Sequence, residues 1–273
     1  VQYASVTGVW GVSAWVVGIN VLVLLLLRPR LPRRPRLALA AALGALVVVP
    51  LGHGTAVMAS PLPASDRVRV AVVQPNLPWA DTAGGAAVEQ TFLHLEQLSA
   101  RAAAAADSLD LIVWPESAVP CYVGLRPECR DRLQALTDRL GVPLLAGGAD
   151  FDSQRGESYN AAFLFCPRRQ QLQRYAKMHL VPFGERTPFR DRLSVLRGVD
   201  WSALTGELGP AEFARGTERT VFALPAARFV ALICFEAVFP DLTRRSVGEG
   251  GRLLVNITND SWFGDSPGPY GAR

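Results

Sequence analysis

Leu111-Ile112-Val113-Trp114-Pro115-Glu116-Ser117 is an apolar run of strand length that ends on a proline and a carboxylate. The pattern recurs. Val230-Ala231-Leu232-Ile233 runs into Cys234-Phe235-Glu236, and Leu253-Leu254-Val255 runs into Asn256-Ile257-Thr258-Asn259-Asp260. Continuous apolar runs of this length mark strands covered on both faces. With their flanks the three strands are read as Leu109–Trp114, Arg228–Cys234 and Leu253–Thr258, beside Val68–Gln74, Pro143–Ala146 and Asn160–Cys166. Helical patterns at Ala86–Ala106, Glu128–Leu140 and Phe239–Gly248 alternate with them, which predicts an α/β architecture. Sheets of this class place their chemistry where strands end in loops. Three such ends close in space bring Glu116, Cys234, Glu236 and Asn259 together.

The N-terminal end follows other rules. Ala4–Leu27 carries no charged residue and as a helix would span roughly 36 Å, enough for the hydrocarbon core of a bilayer. Leu37–Met58 is a second uncharged stretch of roughly 33 Å, weakened by Pro50, His53 and several glycines. Both are predicted to cross a membrane. Between them, Arg28-Pro29-Arg30-Leu31-Pro32-Arg33-Arg34-Pro35-Arg36 is predicted to be non-helical because of its prolines. Five arginines in a short loop between two spans mark the cytoplasmic side. Everything after about Pro61 then lies on the outer side. Residues 1–60 are read as a membrane region, Pro61-Leu62-Pro63-Ala64-Ser65 as a linker, and 66–273 as the globular domain. Two spans flanking a basic turn fit a cleaved signal peptide poorly.

The net charge is +4, and much of it sits in that one arginine cluster. No nucleic-acid partner is expected. Of 28 basic residues, 27 are arginines and one, Lys177, is a lysine. A chain that writes Arg so consistently writes Lys by accident or where a planar guanidinium will not serve. The cysteines Cys121, Cys129, Cys166 and Cys234 form no C-x-x-C pair and show no ligand spacing with the three histidines, which argues against a structural zinc. Whether Cys121 and Cys129 pair in an oxidising compartment is left open by the sequence. The chain neither begins with Met nor closes on a structural element, and is expected to belong to a longer protein.

A thiol, a carboxylate to move its proton and a cation for the oxyanion suffice for acyl transfer. Cys234, Glu116 and Lys177 supply those three groups. Four segments make the comparison specific: Trp114-Pro115-Glu116-Ser117, Tyr175-Ala176-Lys177-Met178-His179-Leu180-Val181-Pro182-Phe183-Gly184-Glu185, Ile233-Cys234-Phe235-Glu236, and Asn259-Asp260-Ser261-Trp262-Phe263-Gly264. Together they resemble the nitrilase (carbon–nitrogen hydrolase) superfamily, and within it the apolipoprotein N-acyltransferase family. Val70-Ala71-Val72-Val73-Gln74-Pro75-Asn76 resembles the first strand of that family's catalytic domain. Val6-Thr7-Gly8-Val9-Trp10-Gly11-Val12-Ser13 resembles one of its membrane helices.

The resemblance implies an αββα sandwich, here truncated at the C-terminus, behind two transmembrane helices. It implies a bacterial inner-membrane protein of several spans with its catalytic domain on the periplasmic side. The implied triad is Glu116, Lys177 and Cys234. Cys234 attacks a phospholipid ester, Lys177 stabilises the oxyanion with help from the Phe235 N–H, and Glu116 carries the proton. The thioester passes its acyl chain to the N-terminal amine of a lipidated apolipoprotein. No ATP, metal or organic cofactor is implied. Glu185 and Glu236 match supporting carboxylates, Phe235 stands where the family often has tyrosine, and Trp79 matches a tryptophan of a substrate-gating loop.

Blander readings stand beside these. Cys121, Cys129 and Cys166 read as small apolar fillers. Glu185 and Glu236 read equally well as structural ion-pair partners. His179 offers a Cys–His dyad but reads better as a hydrogen-bonded loop residue. A membrane-tethered amidase would use the same triad with water in place of the amine. A non-catalytic envelope protein has no need of all three residue types. The chain ends soon after Trp262-Phe263-Gly264, where the family continues, so these residues alone are expected to be inactive.

Overall fold

The computed structural model describes residues 2–60, 67–76, 85–169, 171–188 and 213–260. They belong to two units, Val1–Asp66 and Arg67–Arg273. The first unit contains α1 (Ala4–Leu26) and α2 (Arg33–Ala59). At 1.5 Å per residue these are about 34 and 40 Å long, against about 30 Å for a bilayer's hydrocarbon core. Both are long and apolar enough to cross a membrane. Trp10, Leu24, Val48, Val49 and Leu51 point outward, as lipid-facing side chains do.

Within α1, Gly8 takes φ 67° and ψ −173°, a conformation essentially reserved for glycine. The Trp15 Nε1–H donates to the Leu46 carbonyl at 2.5 Å and ties α1 to α2. The arginine-rich segment corrects one expectation, since α2 already begins at Arg33. Pro35 falls in its first turn, where a missing N–H forfeits no intrahelical bond. The non-helical turn therefore shrinks to residues 27–32.

Two sheets organise the second unit. The first runs β1 (Val70–Val72), β2 (Leu111–Val113), β4 (Leu144–Asp152), β5 (Glu157–Phe165) and β6 (Gln173–Ala176), with β3 (Val119–Tyr122) also paired to β4. β1, β2 and β3 pair in parallel, while β4–β5 and β5–β6 are antiparallel. The second sheet runs β7 (Val221–Ala223), β8 (Arg228–Ile233) and β9 (Leu253–Ile257), with β8 and β9 parallel.

Strand alternation sorts the side chains into layers. Leu111, Val113, Leu145, Ala162 and Leu164 face Phe222, Phe229, Ala231, Ile233 and Ile257 of the second sheet. On the opposite face Ile112, Ala146, Ala161 and Phe163 meet Phe92 and Leu95 of α3 (Gly85–Ala105) and Leu133 and Leu136 of α4 (Pro127–Leu140). Val230 and Leu232 pack outward on Leu242 of α5 (Pro240–Gly248). The order helix–sheet–sheet–helix is the expected αββα sandwich. Strands buried on both faces explain the uninterrupted apolar runs.

One detail of the first sheet builds the site. β2 and β3 lie end to end along the same edge of β4, Val113 beside Leu145 and Val119 beside Gly148. The excursion between them carries Pro115, Glu116 and Ser117. It presses on Gly147, where a Cβ would lie 2.5 Å from the Pro115 oxygen and 2.7 Å from the Glu116 Cα. Trp114 anchors the same excursion. It is fully buried, and its Nε1–H donates at 2.8 Å to Ser99 Oγ of α3.

Candidate active site

Glu116, Lys177 and Glu185 are each 2 % exposed or less. Lys177 Nζ lies 3.1 Å from Glu116 Oε1 and 2.9 Å from Glu185 Oε1. Asn160 Nδ2 donates to the same two oxygens, at 2.8 and 2.7 Å. The two carboxylates are thus bridged twice, by an ammonium and by an amide. Their other oxygens take backbone donors: Asn259 N–H to Glu116 Oε2 at 3.2 Å and Val181 N–H to Glu185 Oε2 at 2.8 Å. Topology explains the meeting. Asn160 lies on β5, and Lys177 follows the end of β6 beside it, its N–H bonded to the Asn160 carbonyl at 2.8 Å.

Buried charges persist only when paired and hydrogen-bonded. Burial alone would pull the Lys177 ammonium down. The charges of Glu116 and Glu185 outweigh it and hold the group above the usual lysine value. The site therefore contains a fixed positive charge at neutral pH.

Cys234 stands where β8 turns into a short 3₁₀ helix, Cys234–Val238. Its φ of 53° is left-handed, a conformation that costs a non-glycine residue roughly 1–2 kcal/mol. Ser117, next to Glu116, and Phe183, in the turn before Glu185, share it with φ of 54° and 64°. Strained backbone of this kind concentrates where side chains must be aimed. Burial pushes the Cys234 thiol up, and the charge of Glu116 pushes the same way. A hydrogen bond with Thr258 and the charge of Lys177 oppose this without cancelling it. The thiol is therefore held above the usual cysteine value.

Glu236 does a different job from Glu185. It is fully buried. Its Oε2 accepts the Ile233 N–H at 3.0 Å, where β8 enters the 3₁₀ helix. Its Oε1 accepts the Met178 N–H at 2.7 Å, the His179 N–H at 3.1 Å and the Tyr175 hydroxyl at 2.8 Å. One carboxylate therefore staples the segment holding Lys177 to the strand end holding Cys234. Burial and the charge of Glu236 push the Tyr175 hydroxyl far up, so it stays a donor.

The remaining sequence candidates separate. His179 is a loop residue whose ring stacks on Phe239 at 4.2 Å, and Phe239 meets Phe235 edge-on at 5.1 Å. Cys121 and Cys129 form a disulfide, so they are not the separate apolar fillers of the sequence reading. Cys166 is a buried free thiol in the inter-sheet core, pushed up by burial. Trp79, the Pro61–Ser65 linker and Trp262-Phe263-Gly264 lie outside the described residues. Sequence reading missed Asn160, Tyr175 and Thr258. Asn160 left one signal, an amide side chain at the edge of an otherwise apolar strand.

The first sheet thus carries a buried Glu–Lys–Glu cluster and the second a strand-end cysteine. The chain belongs to the carbon–nitrogen hydrolase family, which residues 69–272 match. It is similar to the apolipoprotein N-acyltransferase of Chlorobaculum tepidum, 34% identical over 295 residues, covering 99% of this chain and 54% of the relative. The Geobacter metallireducens apolipoprotein N-acyltransferase is also 34% identical, over 275 residues, covering 99% of this chain and 51% of that protein. The chain spans about half the length of these curated relatives. Among solved structures the fold is similar to a carbon–nitrogen hydrolase from Helicobacter pylori, with TM-score 0.52, 15% identity, and coverage of 71% of this chain and 60% of that one. An amidase of the nitrilase superfamily from Nesterenkonia gives TM-score 0.51 at 17% identity, covering 73% of this chain and 68% of that one.

Proposed function

We propose that this site transfers a fatty acyl chain from a phospholipid, through a thioester on Cys234, to the N-terminal amine of the lipidated cysteine of an apolipoprotein. The observation that supports the reading is the buried cluster of Lys177, Glu116 and Glu185, whose lysine segment is tied through the Glu236 carboxylate to the strand end that holds Cys234. Two helices apolar enough to enter the bilayer, where the acyl donor resides, support it.

In this scheme Glu116 takes the thiol proton as the sulfur attacks the ester carbonyl. Lys177 Nζ and the Phe235 N–H donate to the oxyanion. The C–O bond breaks, Glu116 returns the proton to the departing lysophospholipid hydroxyl, and a thioester remains. The incoming amine then attacks that carbonyl while Glu116 accepts one amine proton. The C–S bond breaks, and the proton passes to the sulfur to restore the thiol. Glu185 holds Lys177, Glu236 holds the loop, and Trp79 gates substrate entry. Atoms and charge balance without ATP, metal or organic cofactor.

The setting we propose is a bacterial inner membrane, with several spans and the sandwich on the periplasmic face. The test uses the full-length protein in membranes with acyl-labelled phosphatidylethanolamine. The expected result is a label on Cys234 that chases onto a diacylglyceryl peptide with a free N-terminal amine. A label on Cys166 would overturn the assignment. A label on Cys234 that only water releases would favour the amidase alternative.

A further inference from the structure

The turn between α1 and α2 carries charge that the acyl-transfer scheme leaves unused. Arg28, Arg30, Arg33, Arg34 and Arg36 are all exposed. No Asp or Glu occurs from residue 1 to residue 65, so this unit offers them no carboxylate before Asp66. Pro29, Pro32 and Pro35 stiffen the segment. The Leu31 N–H and Arg36 Nη2 both donate to the Arg28 carbonyl, each at 3.4 Å, and fold it back on itself. The result is an open hollow of about 560 Å³ lined by Arg28, Pro29, Arg30, Leu31 and Pro32. Behind it, α2 starts with no side-chain cap and no acidic residue in its first turn. Its free N–H groups add to the positive field.

We propose that this turn binds the phosphate of an anionic phospholipid as a resident lipid, separate from the acyl donor. The proposal rests on the reading that α1 and α2 cross a bilayer. A short turn between two spans sits at headgroup depth, where phosphates are concentrated. Guanidinium groups bind phosphate oxygens through paired N–H donors, a geometry that ammonium groups lack. Close like charges on a proline-stiffened turn need counter-charge, and an anionic headgroup supplies it without leaving the membrane. RNA is the weaker fit, because no aromatic side chain stands among residues 28–36 to stack on a base.

The test takes the full-length protein in detergent and counts bound lipids by native mass spectrometry, with phosphatidylglycerol or phosphatidylethanolamine supplied. Phosphatidylglycerol is expected to be retained selectively, and less so as salt rises. A triple Arg30→Gln, Arg33→Gln, Arg34→Gln variant is expected to lose roughly 100-fold in affinity. That figure follows from about 1 kcal/mol per basic residue near an anionic surface and about 1.4 kcal/mol per tenfold. The matching triple lysine variant keeps the charge and the topology signal but not the paired donors, and is expected to bind between the unaltered protein and the glutamine variant; binding no better than the glutamine variant would overturn the charge argument.

Equal retention of both lipids by the unaltered protein overturns the proposal, whatever the variants do. Displacement by inorganic phosphate alone, or tighter retention of an oligoribonucleotide, overturns the lipid assignment. Carbonate washing of membranes separates the two layers of argument. A chain that washes off sinks the membrane-spanning reading, whereas one that stays but ignores lipid charge sinks only the arginine site.

Discussion

Glu236→Gln changes one atom of the staple between Lys177 and Cys234, and its cost can be worked from four hydrogen bonds. The amide keeps an oxygen facing Met178, His179 and Tyr175 only by turning its NH₂ toward the Ile233 N–H. Three bonds then lose charge assistance, at about 1 kcal/mol each, and two donors face one another at a buried site for about 1–3 kcal/mol. The smaller desolvation of a neutral amide offsets part of this. The net loss is about 2–4 kcal/mol, or about 5–15 °C in melting temperature for a domain of this size. Well below that melting point a second effect should remain. Displacing the lysine against the thiol by even ~1 Å lowers the rate of acyl-enzyme formation by about 100-fold. The assays are a thermal melt of the detergent-solubilised full-length protein and single-turnover labelling of Cys234. A melting shift under about 2 °C together with normal labelling would refute the staple.

Four further outcomes are expected. In a Cys166→Ser background, iodoacetamide should modify Cys234 slowly at pH 8, because a thiol held above its usual value is less than about one-tenth thiolate there. Glu116→Gln removes a negative neighbour and should move that alkylation profile to lower pH while abolishing transfer; movement to higher pH would contradict the electrostatics. Lys177→Arg should lose at least about 1000-fold in transfer although it keeps the charge, and near-normal turnover would show that the site accepts a fork. Gly147→Ala should drive the Glu116 backbone outward and reduce acyl-enzyme formation about 100-fold, measured by the same labelling, with unchanged labelling counting against the close approach.

The parts of the fold that the sequence made legible are those where one physical demand dominates. Leu111–Val113 and Arg228–Ile233 read as strands because both faces must be apolar, and Leu253–Ile257 because its run is apolar although Leu254 and Asn256 are exposed. β3 and β6 stayed hidden because Pro120 in one and Gln173 and Arg174 in the other break the apolar run, and β7 was not read either. β4 ran past its apolar start to Asp152, since nine ladder pairs with β5 outweigh the poor strand propensity of Gly147, Gly148 and Asp150. The turn chemistry of Pro35 was misjudged because a proline ends a helix from inside but fits its first turn. In the site, Glu116 and Cys234 were legible as strand-end residues, and Lys177 as the one lysine of an arginine-rich chain. Asn160 was not, because its partners lie 44 and 25 residues away and only the β4–β5–β6 ladder brings them together.

The single lysine acquires a physical reason from this geometry. An ammonium has three donors. Glu116 Oε1 and Glu185 Oε1 engage two of them, and under the proposed scheme the third is available to the oxyanion formed at Cys234. A guanidinium in the same enclosure would bring five N–H groups to a place where two carboxylate oxygens already share the Asn160 amide. Each donor left buried without a partner would cost about 1–3 kcal/mol. Among the described residues the arginines are exposed or half-buried, where water satisfies any spare N–H and arginine serves well. Lys177 is the one lysine of the chain, and it stands where a buried cation has room for few unpartnered donors.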